Sequence, residues 1–182
     1  MKKKFYRYGV WACSVLGLAL SACSGSDDGS AVVPGNNEVY LRCKINGELR
    51  QFNHRANAND GPSEEKVHYV VISGWEGADP ATSPGFGISL VSPEGAVETT
   101  YEVAGGEVPE LEGKYFYQNY ENGQNVGTTV YSGGRTDGTR FKLTITSLTK
   151  WGVKGTFSGL LRPSAGSELL QVTDGEFSAP YN

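Results

Sequence analysis

Two histidines, His54 and His68, and three cysteines, Cys13, Cys23 and Cys43, are the whole supply of imidazole and thiol in this chain. A Ser-His-Asp triad or a histidine-rich metal centre therefore has few members to draw on. A serine nucleophile on a strand-to-helix elbow needs glycine two positions before and two after it, and Ser73, Ser89 and Ser158 all lack that frame. His68 lies in an apolar run, where a hydrogen-bonded core imidazole is the simpler reading than a ligand. His54 ends a weak strand and is expected to face solvent. Residues 57–61 (NANDG) have the composition of a calcium loop. Counting back from Gly61, however, the first and third ligand positions fall on Ala56 and Ala58, which have no side-chain oxygen. Glu107, Glu110, Glu112 and Glu121 have the chemistry to flank a sugar as paired carboxylates, but acidic surface loops of this kind are common. No catalytic residue, metal site or cofactor is assigned, and the protein is expected not to be an enzyme.

The residues best suited to hold a ligand are aromatic. Tyr115, Phe116, Tyr117 and Tyr120 stand beside Gln118, Asn119 and Asn122. Such rings stack on sugars while amides bind hydroxyls. A strand here puts Tyr115 and Tyr117 on one face and Phe116 with Gln118 on the other. Trp75 and Trp151, each near an expected turn, extend the candidate set to Tyr115, Tyr117, Asn119, Tyr120, Trp75 and Trp151. The competing reading makes half of these rings core and the rest a covering for a sheet face.

The N-terminal residues say where such a surface would be displayed. Lys2, Lys3, Lys4 and Arg7 precede an apolar run over residues 10–22, a secretory signal too short to span a bilayer. Its end, Leu20-Ser21-Ala22-Cys23, resembles a bacterial lipobox. The resemblance implies cleavage before Cys23, diacylglyceryl attachment to its sulfur and N-acylation. Two or three acyl chains of the palmitate kind, at about 0.8 kcal/mol per buried CH₂, anchor a protein almost permanently. Residues 23–37 then form the lipidated cysteine and a flexible tether, small, polar and broken by Gly and Pro. Within it Asp27 and Asp28 resemble the acidic surface-export signal of Bacteroidota lipoproteins, or are two aspartates of an ordinary solvated linker.

Cleavage removes four of the 16 Lys and Arg and none of the 20 Asp and Glu, leaving a formal charge of −8. That charge, with no basic cluster, argues against nucleic acid as a partner. Cleavage and lipidation also leave Cys43 as the only free thiol, so no intramolecular disulfide can form. Cys43 alternates with Leu41 and Ile45, as a buried, inert cysteine would.

Residues 38–182 are enough for one domain with a real core. With 25 Gly and many Tyr, Phe, Thr and Val, many turns between short strands are expected. Val39, Leu41, Cys43 and Ile45 alternate with polar residues, and Asn46-Gly47 is a hairpin signal. It sets Leu49 across from Lys44 on the polar face, which suggests an edge strand or a bulge near Arg50. Residues 53–66 read as loop, 67–75 as a central strand apolar on both faces, 104–113 as an acidic loop, and 163–171 as a connection with room for one helical turn. Phe141, Leu143 and Ile145, then Val153, Phe157 and Leu161, place apolar groups on odd numbers and polar ones on even numbers. One face of that hairpin is buried and the other wet. Nine or ten antiparallel strands follow, arranged as a β-sandwich or as a closed, calycin-like barrel.

Several of these stretches recur together: the lipobox with Asp27-Asp28, residues 43–48 (CKINGE), 100–103 (TYEV), 141–146 (FKLTIT), 154–159 (KGTFSG) and 172–177 (VTDGEF). The ensemble is similar to small Bacteroidota lipoproteins carrying an all-β domain of unknown function. The resemblance implies an outer-membrane lipoprotein, at the cell surface or on the periplasmic face. The expected role is a non-enzymatic binding or accessory module, a glycan being the first ligand to try. The alternative is a structural or assembly component of the envelope that binds a protein partner.

Overall fold

The computed structural model describes residues 38–59 and 66–182. Cys23, Asp27, Asp28 and the Asp60-Gly61 end of the calcium-like loop lie outside them. The described part is all-β and antiparallel, with eleven strands: β1 (Tyr40–Ile45), β2 (Glu48–Gln51), β3 (His54–Ala58), β4 (Tyr69–Trp75), β5 (Gly85–Val91), β6 (Thr100–Val103), β7 (Glu110–Glu121), β8 (Gln124–Gly133), β9 (Arg140–Thr149), β10 (Gly152–Pro163) and β11 (Leu170–Pro180). One layer runs β2-β1-β11-β10-β9-β6 and the other β3-β4-β5-β7-β8. β10 links them, pairing with β9 and β11 along most of its length and with β8 at Arg162 and Pro163. The hydrogen-bonded path ends at β2 and β3. These strands are consecutive, separated only by Phe52 and Asn53, yet they do not pair, so the structure is sandwich-like and not a closed barrel.

The strongest patterns hold. Asn46 and Gly47 take φ values of 50° and 86°, as a type I′ turn requires. β2 is an edge strand with the expected register, Lys44 opposite Leu49, and Leu49 stays exposed. On β9 and β10, Phe141, Leu143, Ile145, Val153, Phe157 and Leu161 are all buried.

Four expectations change. Residues 54–58, read as loop, form β3, whose inward side chains are only Ala56 and Ala58. β4 is not apolar-buried on both faces: Val70 and Ile72 point inward, while Tyr69 and Val71 are exposed. β7 begins at Glu110, inside the stretch read as acidic loop. Residues 163–171 hold no helix, and the strand that follows, β11, carries a bulge at Asp174, which takes φ 50°.

The core is organised by phenylalanines set directly opposite glycines. Gly155 pairs with Phe177, Phe157 with Gly175 and Gly159 with Phe141, and on the outer face of the other layer Gly85 pairs with Phe116. In each pair the ring lies where a glycine Cβ would be. Gly113 on the other layer receives the Phe141 ring the same way. The rings then touch in sequence: Phe52 to Phe86 at 5.5 Å, Phe86 to Phe157 at 5.1 Å across the layers, and Phe157 to Phe141 and Phe177 at 6.1 and 6.4 Å.

Gly175→Ala is expected to lose ~3 kcal/mol of stability in urea denaturation, since its methyl would sit 2.5 Å from the Phe157 carbonyl oxygen and 2.6 Å from its ring. Gly87→Ala, with only the Ile72 oxygen 3.7 Å away, is the control and should change little. Equal losses would show that strand glycine itself, and not the ring above it, sets the cost. Tyr181 makes a second test, because its hydroxyl is buried without a hydrogen-bond partner. Tyr181→Phe should be neutral or stabilising by about 1 kcal/mol, and a clear loss would contradict the orphan assignment.

Candidate functional site

The candidate aromatic residues occupy three places, of which the first two touch through the Tyr115 and Tyr117 rings, 5.8 Å apart. The first is the mouth between the layers, beside the β2–β3 corner. Arg50 faces Cys43 across the β1–β2 pair and so points inward from an edge strand. There it meets Glu76 of the opposite layer, Nε donating to Oε1 at 2.5 Å and Nη2 to Oε2 at 2.8 Å, both side chains mostly covered. This fork-to-fork pair ties the two layers together. Tyr115 lies beneath it, 6 % exposed, with Arg50 Nη2 3.4 Å from its hydroxyl and Phe52 at 6.1 Å. Burial pushes the Tyr115 phenol up; Arg50 pulls it down and Glu76 pushes it up again, both more weakly. Tyr115 is therefore a core residue, and its ring is not open to a sugar.

The second place is the hairpin of β7 and β8 beyond Phe116, where neither strand has a further neighbour in the sheet. Tyr117 follows Tyr115 on the inward face and is half-buried. Asn119 donates to Thr129 Oγ1 at 2.9 Å, so its amide serves the hairpin. On the other face Gln118 accepts from Thr128 and Asn125, and Tyr120 is exposed with its hydroxyl 3.4 Å from the Ala81 carbonyl. Trp75 ends β4, half-buried, opposite His54 and Gly85.

The third place is the start of β10. Trp151 is 74 % exposed, with the Lys150 ammonium 4.8 Å from its ring centroid. It borders a groove of about 660 Å³ on the outer face of the first layer. Val39, Ser147, Thr149, Lys154, Ser178 and Pro180 complete most of the lining. Trp151 lies a full strand away from the β8 contact at the other end of β10, roughly 35 Å at strand rise. The candidate set thus does not converge on one platform.

The polar groups of this groove escaped sequence reasoning. The signal was the even-numbered polar face of β9 and β10, which shows what is wet but not which strand lies alongside. The groups noted for catalysis or metals are scattered. His68 sets a ring nitrogen 3.2 Å from the Ser92 carbonyl, His54 is exposed, Glu112 pairs with Lys114, and Glu110 with Arg135. Among the described residues no three His, Cys, Asp or Glu side chains gather closely enough to hold a metal.

Cys43 is fully buried, and burial pushes its thiol up to about 12 despite the opposing pull of Arg50. The unfolded thiol ionises near 9.0, so between these values the unfolded chain releases a proton that the native chain keeps. Raising the pH through that window therefore destabilises the fold, by at most about 1.4 kcal/mol per unit from this group. Urea denaturation at pH 8 and pH 10 should show a smaller alkaline loss for Cys43→Ala than for the native chain, although the variant starts less stable. Equal losses would place the alkaline sensitivity in the tyrosines instead.

Comparison of the chain with protein-family models, with curated proteins and with solved structures finds no match.

Proposed function

We propose that this protein is a non-enzymatic, glycan-binding module, held on the outer membrane by lipid on Cys23 and displayed at the cell surface. The observation that carries the binding reading is the groove beside Trp151. The indole is three-quarters exposed and shares the groove with the exposed Val39, so an apolar plate faces the solvent there. Serine and threonine hydroxyls and the Lys154 amine stand beside it, the mixture of one apolar plate and a few polar groups that a sugar face needs. The anchor and the display rest on Leu20-Ser21-Ala22-Cys23 and on Asp27-Asp28.

A second reading, an envelope component that binds a protein partner, is favoured by the free part of the β7–β8 hairpin. Val126 is exposed there, and Glu121 is the only charge between Tyr115 and Gly134. Edge strands without protective charge are suited to pairing with another chain.

Glycan arrays probed with the mature protein separate the two. The glycan reading expects binding that Trp151→Ala weakens at least about tenfold and that Tyr115→Phe leaves alone. An array with no binder, together with a discrete partner crosslinked through Val126 on intact cells, would establish the second reading instead.

A further inference from the structure

We infer that the Trp151 groove selects carboxylated sugars, uronic acids above all. The inference rests on the glycan reading and names its ligand class.

On the outer face of the first layer two basic side chains are paired with carboxylates. Arg42 is bound to Glu176 at 2.6 Å and Lys44 to Asp174 at 3.0 Å. Lys154 and Lys150, like Arg140 and Lys142 on β9, have no carboxylate within 4.0 Å among the described residues. What distinguishes Lys154 is that it lines the groove bordered by the exposed indole, while the Lys150 ammonium sits 4.8 Å from the Trp151 ring centroid.

Register gives Lys154 its neighbours. Ser147 on β9 and Ser178 on β11 are its direct cross-strand partners. The three side chains form one row across the sheet, a cation between two hydroxyls, with neighbours about 5 Å apart. Ser178 is 6 % exposed and lines the groove. Such a row offers hydrogen-bond donors to both oxygens of a carboxylate. Trp151 stands three residues before Lys154, in the β9–β10 turn, at most about 10 Å away between Cα atoms. Long side chains at both ends narrow that gap to the size of one pyranose ring with its carboxylate. The ring would lie against the indole while its charge faces Lys154.

Glu38 is the one acid in the lining. Continuing the β1 register puts it two residues along and two strands across from Lys154, roughly 12 Å away. At that distance it is screened from the carboxylate but disfavours an anion at the chain-entry end. The groove therefore has a polarity, with the acid of the sugar toward Ser147, Lys154 and Ser178.

Affinity electrophoresis of the mature protein through gels containing polygalacturonate, alginate, a sulfated galactan or neutral dextran tests this. The polyuronates should retard the native chain, with the effect falling as salt rises past about 0.15 M. Lys154→Gln should lose the preference for uronate over dextran about tenfold while its melting temperature stays unchanged, and Lys154→Arg should restore most of it. Trp151→Ala should lose retardation by every polymer. Equal retardation by dextran and polyuronate, unaffected by Lys154→Gln, would overturn the acid selectivity and leave glycan binding standing. Stronger retardation by the sulfated polymer than by either polyuronate would overturn the choice of carboxylate. Retardation by none of the four would overturn this inference together with the glycan reading.

Discussion

Aromatic rings resting on the backbone of the neighbouring strand are the constraint on which this structure depends. A phenylalanine standing upright on a sheet fills the space between layers; one lying over a glycine fills the space above the next strand. Phe141, Phe157 and Phe177 do the latter, each opposite a glycine. The first layer is thereby bound sideways, and Phe86 and Phe52 can reach into the same row from the second layer and from the corner. Aromatic contacts of this kind add about 0.5–1.5 kcal/mol each beyond the area they bury. With Cys43 buried as a free thiol, no disulfide contributes to the described domain. Its cohesion comes from this row, the β ladders and the Arg50–Glu76 clasp at the mouth.

That device explains where reading the sequence succeeded and where it did not. The alternation on β9 and β10 was legible because it is a local rule: odd residues inward, even residues outward. Glycine was harder. Its abundance suggests turns, and Asn46-Gly47 bears that out, but Gly113, Gly155, Gly159 and Gly175 sit inside strands. Each is there because a ring from another strand needs the room, and no local window contains both partners. β3 was hidden for a related reason. Its inward residues are two alanines, too small to give a hydrophobic signal, and it exists through pairing with β4.

The aromatic stretch of β7 shows the same division. The alternation of Tyr115 and Tyr117 against Phe116 and Gln118 follows from strand geometry and is observed. Which face is buried is decided by Phe52 and Arg50, more than sixty residues earlier in the chain. The groove depends still more on assembly. Trp151 was a visible candidate, but the Ser147, Lys154 and Ser178 row comes from the registers of three strands, two of which are shifted by bulges. A bulge moves every later side chain to a new neighbour, so the row cannot be deduced from spacing. The result is a sandwich-like scaffold with the groove proposed to bind a ligand on an outer face, beside Glu38 and Val39.

The most direct measurement of the central claim is an amide chemical-shift titration of the mature, isotope-labelled protein with short acidic and neutral oligosaccharides. The account predicts saturable shifts confined to residues 147–154 and 178–180 and to the Trp151 indole N–H. Shifts centred on residues 117–129, or none at any ligand concentration, would contradict it.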